Sequence, residues 1–138
     1  MNTYPWMIST AAEKCGINAK MIRHYERIGL VPKAVRNPAG YRLYSDRDIH
    51  EFVFIKQARK LGFQMETIKA LLMLWRDKKR PSQKVKELAQ GHVEALKSRI
   101  ADLQRTLERL VQKCHGDHRP NCPILESLEQ GQITHEFQ

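Results

Sequence analysis

No run of 18 apolar residues occurs in this 138-residue sequence, so no segment reads as a membrane-spanning helix. Met1 to Met7 lacks the basic start and apolar stretch of a secretory signal, which points to the cytosol. Cysteine is scarce and odd in number, with three residues at Cys15, Cys114 and Cys122. In a reducing compartment that excludes a disulfide framework and leaves metal ligation or simple burial. Also missing are a glycine-rich phosphate loop, a nucleophile motif and paired carboxylates in a plausible cleft, so nothing marks an enzyme. The length supports one domain, or a small domain with an extension. It allows a modest core but no large enclosed substrate cavity.

What the chain does have is positive charge, and it is unevenly placed. The net charge of +9 falls entirely in residues 1–80, with 16 Lys/Arg against 7 Asp/Glu; residues 81–138 hold 8 of each. A basic half joined to a neutral half fits a nucleic-acid reader carrying an assembly module. A merely basic surface is the plainer alternative.

The basic half breaks into short helices. Ser9 is placed to cap a helix through Ala11, Ala12 and Cys15, stopped by Gly16. Asn18 is placed to cap a second from Ala19 to Ile28, with Met21, Ile22 and Tyr25 at helical spacing and Gly29 at its end. Two short helices about a glycine turn form a helix-turn-helix candidate. From Leu30 to Tyr44, Pro32, Pro38 and Gly40 exclude helix, and the segment reads as a hairpin wing carrying Lys33, Arg36 and Arg42. Ser45 is expected to cap a third helix, Asp46 to Leu61, with Ile49, Phe52, Val53, Ile55 and Lys56 along one face. A fourth follows from about Met65 to Trp75, and Asp77 to Pro81 forms a charged hinge.

Ser82 is then expected to cap a long helix to Cys114. Leu96, Ile100, Leu103, Leu107, Leu110 and Cys114 recur at alternating spacings of four and three, a heptad seam. A rod of roughly 50 Å, at about 1.5 Å per residue, cannot bury such a stripe against the rest of a short chain. A second copy is the simplest partner. Gly91 and His92 interrupt the early seam.

The sharpest local feature is the loop from Cys114 through His115, Gly116, Asp117 and His118 to Cys122 and Pro123. Pro123 favours the first position of a new helix, which would make Cys122 its N-cap. Free backbone N–H groups and the positive end of the helix dipole there favour a negative sulfur, the metal-binding form. Two sulfurs without a third suit a soft monovalent d¹⁰ ion. Two alternatives stand beside this. The thiols could fill a small core, or Cys114, His115, His118 and Cys122 could form a four-donor Zn(II) site. Cys15 reads as helix packing, and His24, His50, His92 and His135 fall at no ligand spacing.

The run Ile8-Ser9-Thr10-Ala11-Ala12, followed by Met21-Ile22-Arg23-His24-Tyr25-Glu26-Arg27-Ile28-Gly29-Leu30, strongly resembles the start of MerR-family regulators. Gly40-Tyr41-Arg42-Leu43-Tyr44, then Asp48-Ile49, is similar to that family's wing and third-helix start; the resemblance runs from about residue 7 to 128. His24 departs from the family pattern, where an aromatic is commoner. The resemblance implies a mainly α fold with a winged helix-turn-helix DNA-binding domain, connector helices, an antiparallel coiled-coil homodimer and a C-terminal metal-binding loop. On that basis the expected division is 1–76 for DNA, 77–113 for hinge and dimerisation helix, and 114–138 for metal loop, short helix and tail.

Function by the same resemblance is a transcriptional activator. Such a dimer sits on promoter DNA whose spacer is too long, and metal binding distorts the DNA so that RNA polymerase engages both elements. Arg23 and Tyr25 on the recognition helix, with Arg36, Tyr41 and Arg42 in the wing, are the implied DNA contacts, mostly to phosphates and sugars. Activation is then read through DNA shape. The Cys114…Cys122-Pro123-Ile124 pattern resembles the copper-sensing, CueR-like branch, with Cu(I) and, by chemical kinship, Ag(I) or Au(I) as inducers. Members sensing divalent ions typically carry a cysteine near the start of the dimer helix, where this chain has Ser82. Zn(II) sensing is the alternative within the family. Outside it stands a dimeric scaffold that binds no DNA.

Overall fold

The structure, a computed structural model, describes residues 3–131. It is mainly helical, and it divides into two compact units, Met1–Val85 and Lys86–Gln138. The division falls inside the long helix rather than at the charged hinge.

In the first unit, a short strand β1 (Trp6–Met7) runs directly into helix α1 (Ile8–Cys15). Ser9 does not cap it. Met7 holds the N-cap position without a side-chain bond, and Ser9 lies in the first turn. The reason is tertiary: Trp6 and Met7 pair antiparallel with Tyr44 and Leu43, so the sheet fixes where the helix starts. Gly16, at φ 70°, ends α1, and its N–H donates to Ala12 O at 2.9 Å. Helix α2 (Ala19–Arg27) is capped as expected: Asn18 Oδ1 accepts from the Met21 N–H at 2.8 Å.

The wing is real but tight. Strands β2 (Val35–Arg36) and β3 (Arg42–Tyr44) pair antiparallel, and β3 lies between β2 and β1. Asn37 and Tyr41 close the turn through two hydrogen bonds, at 3.0 and 2.9 Å. Sequence patterning misses β1, since two residues carry no readable alternation.

Helix α3 (Asp46–Lys60) begins with a full capping box. The Asp48 N–H donates to Ser45 Oγ, and the Ser45 N–H donates to Asp48 Oδ2. Its buried face is Glu51, Phe52, Ile55 and Ala58, with Ile49 packed at its edge; Phe52, Ile55 and Ile49 are as expected, and Val53 and Lys56 are not on it. Val53 is an exposed hydrophobic and Lys56 half-buried, while Glu51 is buried and pairs with Arg76 at the end of α4 (Met65–Arg76). A buried carboxylate is tolerated only with such a partner. Phe52, Ile22, Ile55, Ile68 and Leu72 are the largest fully enclosed side chains, and the core draws on all four helices and β3.

Helix α5 (Ser82–Lys113) starts at Ser82, which is its first residue rather than its cap, and continues through Gly91 and His92 without a break. In the second unit Leu110 and Thr106 are buried, and Leu96 and Leu103 are half-buried. Val93, Ile100, Leu107 and Val111 stay exposed, at 41, 60, 60 and 63%. Steps of seven, seven and four keep these four within one narrow stripe of the helix. A short helix α6 (Pro123–Gln130) ends the described chain and exposes Leu125 and Leu128. No helix among the described residues is long and apolar enough to cross a membrane.

Candidate nucleic-acid interface and metal loop

An open depression of about 710 Å³ lies where α2 meets the wing. Five cations line it, Arg23, Arg27, Lys33, Arg36 and Arg42, with Glu26 as the single acid. Local rules put them there. On a nine-residue helix whose Ile22 and Tyr25 face the core, positions 23, 26 and 27 turn outward together. Across the wing, Arg36 and Arg42 are register partners on neighbouring strands. Arg36 Nη1 donates to Gly40 O at 2.7 Å, and Arg42 Nε donates to Glu26 Oε2 at 3.1 Å. Such a concave, positively charged surface attracts a phosphate backbone.

Three of the five expected DNA contacts, Arg23, Arg36 and Arg42, are thus brought together. Tyr41 is 60% exposed at the tip of the wing, outside the groove lining. Tyr25 is not at the surface. It is 2% exposed, and its hydroxyl accepts a hydrogen bond from Arg59 Nη1 at 2.9 Å. Lying three residues after Ile22, it belongs to the core side of α2, where it ties that helix to α3. Arg27 completes the groove beyond the sequence expectation; its i+4 spacing from Arg23 is the signal that places it.

Tyr44 is buried, and burial followed by the Glu26 charge pushes its hydroxyl up to about 12. Among the described residues its hydroxyl finds no hydrogen-bond partner.

In the second unit the thiols of Cys114 and Cys122 are free and half-buried, one at each end of the loop 115–121. Cys114 follows α5 immediately, its N–H donating to Val111 O at 3.2 Å, and Gly116 turns the chain at φ 66°. Cys122 is the N-cap of α6 as expected, with Pro123 behind it, and no side chain caps that helix. His115 and His118 are exposed. Arg119 bonds Asp117 through both side chain and backbone and holds its carboxyl below the usual carboxylate range. Among the described residues no three His, Cys, Asp or Glu side chains gather into one metal-sized cluster. Cys15 is buried, and burial pushes its thiol up, in keeping with packing. Ser82 is exposed at the start of α5, and His135 lies outside the described residues.

Known proteins match this arrangement. The pattern described as MerR HTH family regulatory protein covers residues 6–74, and that described as MerR, DNA binding covers residues 49–113. The chain is 49% identical over 127 residues to the HTH-type transcriptional regulator HmrR of Sinorhizobium medicae, covering 90% of this chain and 86% of that one. It is 36% identical over 124 residues to the HTH-type transcriptional regulator CueR of Salmonella typhimurium, covering 88% and 90%. Among solved structures, a lead(II)-bound transcription regulator from Ralstonia metallidurans superposes with a TM-score of 0.70 at 25% identity, over 89% of this chain and 98% of that one. The mercury(II)-bound MerR of Bacillus megaterium gives 0.58 at 31% identity, over 86% and 94%. The chain belongs to the MerR family of HTH-type transcription regulators, which are not enzymes.

Proposed function

We propose that the chain is a cytoplasmic, homodimeric, metal-responsive activator that reads promoter DNA through residues 1–76 and senses Cu(I) at Cys114 and Cys122. Ag(I) and Au(I), ions of the same charge and softness, act as further inducers. Residues 77–113 provide hinge and dimerisation helix, and 114–138 the sensor. Metal binding changes the DNA shape that the dimer imposes, which lets RNA polymerase engage the promoter. Heavy-metal regulators among the relatives, CueR included, support metal sensing.

One observation carries the choice of copper: two free thiols flank a single loop, one of them at an α6 N-terminus that no side chain caps. Two thiolates and one monovalent ion leave a net charge of −1, which the free N–H groups of α6 offset. Zn(II) would remain under-coordinated by two sulfurs, because it prefers about four donors. Cys15 is buried in the other unit, and Ser82 holds the position near the start of the dimer helix where, by the family resemblance, divalent-ion sensors carry a cysteine. The exposed imidazoles of His115 and His118 favour zinc as the second reading.

The experiment is an anaerobic titration with buffered Cu(I) and with buffered Zn(II), reading metal stoichiometry and promoter output. About one Cu(I) per protomer is expected, with no response to zinc at low free concentration. Cys114→Ser and Cys122→Ser should each abolish induction while leaving apo DNA binding intact, since a hydroxyl is a poor ligand for a soft ion. Ser82→Cys should extend the response to Zn(II) or Hg(II). Zinc induction of the unmodified protein would transfer the assignment to the His115 and His118 reading.

A further inference from the structure

We propose that Glu26 is a positioning residue for DNA binding: its carboxylate holds the wing residue Arg42 against α2, so that removing the groove's own negative charge weakens DNA binding. The inference rests on the DNA-binding reading above. A charge count alone predicts the opposite sign. Glu26 is the one acid among the five cations of the groove, and a carboxylate beside a phosphate repels it.

Geometry reverses that expectation. The Glu26 side chain is only 12% exposed, against 28% for Arg42, so the carboxylate is the more shielded member of the pair and offers less charge to an approaching phosphate. Glu26 Oε2 accepts from Arg42 Nε, at 3.1 Å. That bond fixes the plane of the guanidinium and leaves its two terminal nitrogens for a phosphate. Arg42 has reason to leave without it. Its register partner across the wing is Arg36, whose own guanidinium is tied to Gly40 O, and like charges directly opposite on two strands repel. Arg23 and Arg27 of α2 line the same groove and add to that repulsion. Because β2 and β3 form so short a hairpin, this ion pair is also a side-chain tie between wing and recognition helix. Glu26 thereby holds the two DNA-facing elements in one relative placement.

The test is a double-mutant cycle on the full chain, with a mixed-sequence DNA duplex as the probe and affinity read across a sodium chloride series. Glu26→Gln is expected to weaken binding about tenfold at low salt and to lower the salt slope by about one phosphate contact. In the Arg42→Ala background the same change should tighten binding, because only the repulsive part of Glu26 is then left. Equal or tighter binding by Glu26→Gln in the unmodified background overturns the proposal. Thermal melting accompanies each variant. Should Glu26→Gln melt early, Glu26→Asp takes its place, keeping the charge but falling short of Arg42 Nε. Weakened binding by Glu26→Asp supports the proposal, and unchanged binding overturns it. Absence of salt-dependent binding by the unmodified chain would instead refute the DNA-binding reading itself.

Discussion

The two compact units solve burial in different ways. Residues 1–85 enclose Ile22, Phe52, Ile55, Ile68 and Leu72 almost completely and close their polar ends with Asn18 and a Ser45–Asp48 box. Residues 86–131 bury one large apolar side chain, Leu110, and leave Val93, Ile100, Leu107 and Val111 in a line facing outward. The first unit is stabilised within one chain. The second presents an apolar stripe that is exposed in the single chain and that the proposed homodimer would cover. Charge divides at nearly the same place, since residues 1–80 hold the whole excess of +9 and residues 81–138 hold 8 Lys/Arg against 8 Asp/Glu. In the proposed homodimer, two self-contained DNA-binding units are joined through that stripe.

The largest effect that would break the comparison is Phe52→Ala. Removing a fully enclosed ring from the four-helix core should cost about 3–5 kcal/mol of unfolding free energy in a denaturant titration. A loss under about 1 kcal/mol would mean that the first unit is not the independently packed body described here. Next, Leu107→Glu places a charge in the exposed stripe and should shift the protein from dimer to monomer by sedimentation velocity. Helical content of the first unit should be retained, and a dimer unchanged in mass would remove the stripe from the interface.

Of intermediate size is Arg23→Ala compared with Arg105→Ala. Arg23 lines the groove, so its loss should weaken DNA binding and reduce the salt slope by about one unit. Arg105 pairs with Asp102 on α5, in the half of the chain without excess charge, and its removal should do neither. Equal behaviour of the two would erase the functional contrast between the units.

The smallest effect concerns Tyr44, whose hydroxyl is buried and, among the described residues, without a hydrogen-bond partner. Tyr44→Phe should keep or raise stability, by up to about 1 kcal/mol, because no hydrogen bond is lost and a desolvated hydroxyl is removed. A pH dependence follows. The folded hydroxyl ionises near 12, above its ordinary value of 10.0, so its ionisation favours the unfolded chain. The stability it preserves is fully present below about pH 10 and is lost as pH rises toward 12. The difference between the unmodified chain and Tyr44→Phe should therefore widen in alkali, and a constant difference would place Tyr44 in water.

Much of the architecture was legible because it rests on local chemistry. Asn18 and Ser45 announce helix starts through side-chain caps, Gly16 a stop through its positive φ, and Pro123 the first turn of α6. Where local chemistry competes with a distant partner, the reading fails. Ser9 looks like a cap, but pairing of Trp6 and Met7 with Tyr44 and Leu43 starts the helix earlier. Glu51 lies off the apolar face read for α3, yet it is buried and pairs with Arg76, twenty-five positions on. Tyr25 sits inside a motif that resembles a DNA-binding one, yet its phase on α2 relative to Ile22 sends it to the core.

By itself the sequence determined the order and type of the helices, the confinement of positive charge to the first half, and a cysteine at each end of one loop. Periodicity, capping and composition act over a few residues, so they survive without knowledge of the fold. Tertiary structure alone decided that Arg23 and Arg27 of α2 meet Lys33, Arg36 and Arg42 of the wing in one groove, and that Glu26 pairs with Arg42 across it. Those outcomes depend on how a helix is rotated against a hairpin more than five residues away. That rotation is set by the packing of Ile22, Tyr25 and Tyr44 into a common core, which no local pattern encodes.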